Sequence, residues 1–338
     1  MSHKTIGRVC LILAMIIFAA SNSISSKLAD LGMQNPIDGR NPISFCNVLF
    51  IGNLCALITL SIVYGRQWNP RQLNRLSLVN WLILIGAAIL AGTVAPALTF
   101  FALEKTSATN VILVSRIQSP ITLALFALAG DKKTNWWIFA GEIVAALGII
   151  SMLVLQTPEE NFANIMGQKI DMGELLAIAG AIALSLGKVI RGTRLNKISL
   201  GVWAIFRTAI GTVVFAVLVI KLFGISHFTD AFSPFVWQWV SFYGIIIVAL
   251  GQILWFKGLS IVAFQAISYA GYIIPVAGIA IAYLILGEVP TAAQYVGMFP
   301  ILIGAILNQI GVSKLPLDTP DKPDNKFDVE RLIQFKGI

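Results

Sequence analysis

A chain of 338 residues that is 57% hydrophobic and only 12% charged carries about half the charge of a soluble domain, which excludes an ordinary globular enzyme. Its formal charge of +8 does not point to nucleic acid, because the basic residues fall between apolar spans and not on one aromatic-rich basic surface. Three cysteines inside apolar stretches and two distant histidines, His3 and His227, suggest neither a disulfide framework nor a metal cluster, and no cofactor is expected.

Apolar runs recur from near Arg8 to near Ile310, each about the 20 residues that cross a hydrocarbon core of roughly 30 Å. In chain order they predict helices over 9–29, 43–64, 79–102, 107–129, 135–155, 173–190, 200–223, 235–256, 263–286 and 292–311. The first lies behind Lys4 and Arg8 and is expected to be retained as a helix, although Ala19, Ala20 and Ser21 resemble a weak cleavage site. Turn signals separate the runs: Asn35-Pro36, Asn41-Pro42, Asn69-Pro70, Gly130-Asp131, Thr157-Pro158, Ser233-Pro234 and Val289-Pro290. Residues 314–338 form a polar tail that is expected to be mobile. The fold expected is an all-α integral membrane protein of ten transmembrane helices.

Lys and Arg concentrate in alternate links. Seventeen fall on the side that holds the N terminus and five, Lys27, Arg40, Lys105, Lys169 and Lys221, on the other. Cytoplasmic links retain positive charge, so both termini are expected in the cytoplasm of a multi-pass inner (plasma) membrane protein.

Ala108 and Pro120 recur as Ala263 and Pro275 when the sequence is slid by 155 residues. Each proline leads through an apolar run to a Gly-acid pair, Gly130-Asp131 and Gly287-Glu288, and then to a helix containing Gly148 or Gly304. The expected units are 1–155 and 156–313, with 314–338 as the tail. Five helices per unit is odd, so the second unit enters the membrane from the opposite side, as in the inverted repeats of secondary transporters.

Three stretches carry a family resemblance: SNSISSK at Ser21–Lys27, FFALEKTSATN at Phe100–Asn110, and LWFKGLSIVAFQA at Leu254–Ala266 with YLILGEVPTAAQYVG at Tyr283–Gly297. The chain resembles EamA-type members of the drug/metabolite transporter superfamily over about residues 8–311. The resemblance implies a ten-helix transporter of a small metabolite. The sequence departs from it at Asp131, where the family usually has Glu, and at Leu49, where an arginine is common. The link Leu31–Pro42 is also long and polar enough to cover an entrance.

An ionised side chain deep in a bilayer costs several kcal/mol and usually faces a cavity. Arg116 lies about 13 Å down its helix, and Pro120 frees the Arg116 carbonyl, so a kink is expected there. Pro275 repeats it in the second half. Arg207 lies about 10 Å into helix 7. Arg116 and Arg207 suit an anionic substrate group; the other reading pairs one of them with Glu142. Asn22, Ser23, Gln118, Tyr269 and Tyr272 supply polar groups near the same depth. Lys27 and Lys188 either snorkel or line the two mouths. Glu142 is a second candidate, as a proton carrier. Trp136 and Trp137 read as an interfacial anchor.

No intramembrane histidine, clustered acids or GxxxxGK[ST] loop occurs in the sequence, so neither catalysis nor ATP hydrolysis is expected. The function expected is secondary transport of a small organic metabolite, anions being favoured and export being one direction open. The alternative is a non-transporting sensor or scaffold that uses the tail. The partners expected are the substrate and the lipid bilayer, without nucleic acid.

Overall fold

The computed structural model describes residues 3–37, 39, 41–67, 77–129, 135–155, 162–165, 168–195, 198–224, 233–261 and 270–314. The tail beyond 314, the Gly130-Asp131 turn and Tyr269 lie outside them. Ten helices follow one another: α1 (His3–Gln34), α2 (Phe45–Tyr64), α3 (Leu78–Leu103), α4 (Ala108–Leu128), α5 (Trp136–Leu155), α6 (Met172–Arg194), α7 (Leu200–Phe223), α8 (Pro234–Ile261), α9 (Ala270–Leu286) and α10 (Ala292–Ser313). Among the described residues nine helices are long and apolar enough to cross a membrane; α9 is the shorter tenth, and the residues directly before it lie outside the description.

Hydropathy marks the hydrocarbon core, but hydrogen-bonded helices continue into the interface. Hence α1 runs to Gln34, α6 to Arg194 and α8 to Ile261, each past its expected end. Arg191, expected in a link, is consequently buried on α6, with its guanidinium 5.7 Å from the Trp203 ring centre. The link between the halves holds one further surprise. There β1 (Phe162–Ile165) pairs antiparallel with β2 (Gln168–Asp171), Phe162 opposite Asp171, in four-residue strands too short for an alternating pattern to announce.

Helix starts are capped locally, as a membrane demands of backbone groups that water does not reach. The hydroxyls of Ser44, Ser77, Ser107, Ser199, Ser233 and Thr291 accept from the backbone N–H three residues on, at the starts of α2, α3, α4, α7, α8 and α10. The Asn41 amide ties the link after α1 back to the Ala29 carbonyl at 3.0 Å.

Glycines show the inversion directly. A Cβ on Gly141 of α5 would lie 2.5 Å from the Gly304 carbonyl of α10, and one on Gly148 would lie 2.7 Å from that of Gly297. As residue number rises along α5 it falls along α10, so these equivalent fifth helices run antiparallel. Further contacts obey the same exchange: Gly52 of α2 meets Gly244 of α8, and Gly211 of α7 meets Gly92 of α3. Such closeness, which only glycine permits, lets backbones rather than side chains form the interface. The outer surface is apolar, with Ile62, Leu82, Leu128, Leu284 and Phe299 all exposed, as suits a chain solvated by lipid.

Candidate substrate site

The equivalent helices α3 and α8 both widen into a π-helical turn at mid-span, Leu90–Val94 and Gly244–Leu250. Such turns shift side-chain register and are frequent at functional sites. Here they flank a cleft of about 740 Å³, open mouth included, bounded by α1, α3, α4, α6, α8 and α9.

The cleft follows α3 from Ala91, in its π turn, to Leu103, its last residue. It therefore extends toward the end of the molecule at which α3 finishes and α4 begins, away from the start of α1. Its apolar wall is Phe18, Phe100, Leu103, Ile112, Leu184 and Ile274; its polar groups are Ser21, Asn22, Ser25, Thr99, Tyr243 and Arg116. Among these described lining residues Arg116 is the charged one.

Arg116 reaches the cleft because α4 tightens into a 3-10 turn over Ser115–Ile117, just ahead of Pro120. A proline cannot donate to the carbonyl four residues back, and the altered turn falls on that carbonyl's residue. Pro275 lies inside α9, which continues through it. Arg116 Nε is buried and has no hydrogen-bond partner among the described residues. Across the cleft Tyr243 is almost fully buried. Its hydroxyl accepts from Ser25 Oγ at 3.2 Å and its ring meets Phe100 edge-on at 6.4 Å. Tyr243 also borders a second pocket of about 360 Å³, lined by Asn53, Thr208 and Arg207. The two arginines thus stand in adjoining cavities on either side of one tyrosine.

Other sequence candidates lie elsewhere. Ser23 and Gln118 are buried outside the cleft lining, with Ser23 Oγ and Gln118 Nε2 lacking partners among the described residues. The Gln118 carbonyl accepts from Ser185 Oγ of α6 at 3.2 Å. Lys27 is exposed, and Lys188 is half-buried on α6, one turn from the lining residue Leu184 and not itself among the lining. The side chain of Tyr272, like Tyr269, is outside the described residues. Trp136 is exposed, and Lys314 Nζ sits 4.1 Å from the Trp137 ring centre.

Glu142 is not hydrogen-bonded to Arg116. Its Oε1 accepts from Ser119 Oγ of α4 at 2.7 Å and from Asn308 Nδ2 of α10 at 2.6 Å. A further network joins helix starts: Gln294 Nε2 donates to Asn110 Oδ1 at 2.6 Å, and Asn110 Nδ2 donates to Glu174 Oε1 at 3.4 Å and to Thr106 Oγ1 at 2.9 Å. No group of histidines, cysteines and acids able to hold a metal occurs among the described residues.

Two inverted five-helix halves around a cleft at mid-membrane are the architecture of a secondary transporter. The model of the EamA-like transporter family matches residues 5–154 and 171–309. The chain belongs to that family, within the drug/metabolite transporter superfamily. An uncharacterized transporter of Synechocystis sp. is 36% identical over 332 residues, covering 98% of this chain and 95% of that one. A protein of known crystal structure, 17% identical, matches with a TM-score of 0.59 over 91% of this chain and 98% of its own; at that identity it shows the fold alone. The family makes this a membrane transporter of a small molecule.

Proposed function

We propose that this transporter carries a small organic anion with an apolar body, by alternating access of the cleft to the two faces of the membrane. One observation carries the reading: Arg116 is the charged residue among the described ones lining the cleft, and its Nε is buried without a partner among the described residues. A guanidinium in a low-dielectric site holds a carboxylate through paired, charge-assisted hydrogen bonds. Phe18, Phe100 and Leu184 would take the apolar body, while Asn22 and Tyr243 would fix its orientation. Arg207 in the adjoining pocket adds positive potential behind Tyr243.

In this reading the protein sits in the inner (plasma) membrane with both termini in the cytoplasm, as the basic links favour. The cleft as described then faces outward, and export requires the reciprocal opening.

Reconstitution into liposomes tests it, with a panel of labelled organic anions, amino acids and cations. Wild type should move anions, and Arg116→Ala should lose that flux. Flux of cations alone, or anion flux unchanged by Arg116→Ala, would overturn the reading.

A further inference from the structure

The helices around Glu142 hold an unusual charge inventory. In the sequences of α4, α5 and α10, Arg116 and Glu142 are the only charged residues. Arg116 faces Glu142 electrostatically from α4; α4 further offers Ser119, and α10 offers Asn308. At 1.5 Å per residue, Glu142 lies about 9 Å in from the start of α5, and Arg116 about 12 Å in from the start of α4 at the opposite end. Ser119, one turn beyond Arg116 on α4, lies between the two in depth and donates to Glu142.

Two carboxylates that join helices in this molecule, half-buried Glu288 and buried Glu142, have contrasting partners. Glu288 accepts from the backbone N–H groups of Ala108 and Thr109 at 2.8 and 2.9 Å. An amide N–H can only donate, so these two partners suit acceptor oxygens alone. Glu142 is held by a hydroxyl and a side-chain amide. Ser119 Oγ donates or accepts as its proton rotates, and Asn308 presents either its NH₂ or its Oδ1, which is buried without a partner among the described residues. The cage therefore satisfies an ionised carboxylate and a protonated one alike. That ability is what distinguishes a proton-binding site from a structural anion.

We propose that Glu142 is the coupling-proton site, and that each anion held at Arg116 is accompanied by one proton on Glu142. This rests on the anion-transport reading of the cleft. With the cleft empty, Arg116 and Glu142 balance one another. When a carboxylate enters, its charge replaces that of Glu142 as counter-charge to Arg116, and the carboxyl takes up a proton, so the span stays neutral. Release of the anion returns the negative charge to Glu142 and expels the proton to the same side. One negative and one positive charge cross together, and the cycle is electroneutral symport.

Two measurements on the full-length protein separate this from the parent reading. In proteoliposomes with a pH dye inside, N-acetyl-L-phenylalaninate uptake should bring one proton per anion, rise with external acid and ignore an imposed membrane potential. Glu142→Gln should lose acid-driven accumulation, and Glu142→Asp should restore it with a displaced pH profile. Accumulation by Glu142→Gln like that of wild type, or uptake driven by potential and not by acid, overturns the proposal. Infrared titration of the purified protein needs no substrate. A protonated-carboxyl band that disappears in Glu142→Gln and persists to higher pH in Arg116→Gln supports it; spectra unchanged by Glu142→Gln overturn it even if no anion proves to be transported.

Discussion

The carboxylate of Glu288, from the turn after α9, caps the first turn of α4 by accepting from the Thr109 amide at 2.9 Å and the Thr109 hydroxyl at 2.7 Å. The two residues are 179 positions apart and join the halves of the chain. This assigns a physical purpose to the Gly-acid motif. Gly287 takes a positive φ of 72° to end the preceding helix, which turns the next side chain toward the amide-rich end of α4, where negative charge is favoured.

Removing that side chain leaves two N–H groups and a hydroxyl unpaired. Hydrogen bonds to a charged group are each worth about 1.5–3 kcal/mol. Glu288→Ala should therefore cost about 2 kcal/mol or more and lower the thermal midpoint of the purified protein, with Glu288→Gln milder. A midpoint equal to wild type in a tryptophan-fluorescence melt would remove the cap from the account.

Gly304 and Gly86 make a matched pair for the α5–α10 interface. A Cβ on Gly304 would meet the Gly141 carbonyl, and would lie 2.8 Å from Ala145 N, whereas one on Gly86 meets nothing within 4 Å. Gly304→Ala should destabilise by about 1–3 kcal/mol through overpacking. Gly86→Ala should be neutral or mildly stabilising through helix propensity. Urea midpoints of the two variants give the comparison, and equal shifts would show that the interface tolerates separation.

Tyr243 separates the two cavities. Tyr243→Phe keeps the ring against Phe100 and removes the hydroxyl that Ser25 meets, a loss of about 1 kcal/mol in polar contact. The expected result is a several-fold rise in KM for anion uptake with little change in maximal flux or melting temperature. An unchanged KM would take the hydroxyl out of substrate contact.

Much of this architecture was legible in the sequence for simple reasons. Runs of about 20 apolar residues have few other uses, and the spacing of Ala108 and Pro120 against Ala263 and Pro275 exposed the repeat. Arg116 was legible because a charge inside a span is costly and therefore conspicuous. Ser25, Thr99 and Tyr243 were not, since hydroxyls are tolerated throughout membrane helices and their meaning comes from helices that are distant in sequence. The π turn over Leu90–Val94 has the same composition as its surroundings, so nothing local announces it. Lys27 carries the same charge as Arg116, but it is exposed on α1, where a long side chain snorkels at little cost.

Anion transport through this cleft depends most directly on the affinity of Arg116 for an anion. Calorimetric titration of the purified protein with N-acetyl-L-phenylalaninate should show binding that Arg116→Ala weakens by about ten- to a hundredfold, the equivalent of one charge-assisted hydrogen bond. Arg116→Lys should fall between, since an ammonium lacks the paired geometry. Equal affinity in wild type and Arg116→Ala, or tighter binding of phenylethylammonium than of the carboxylate, would contradict it.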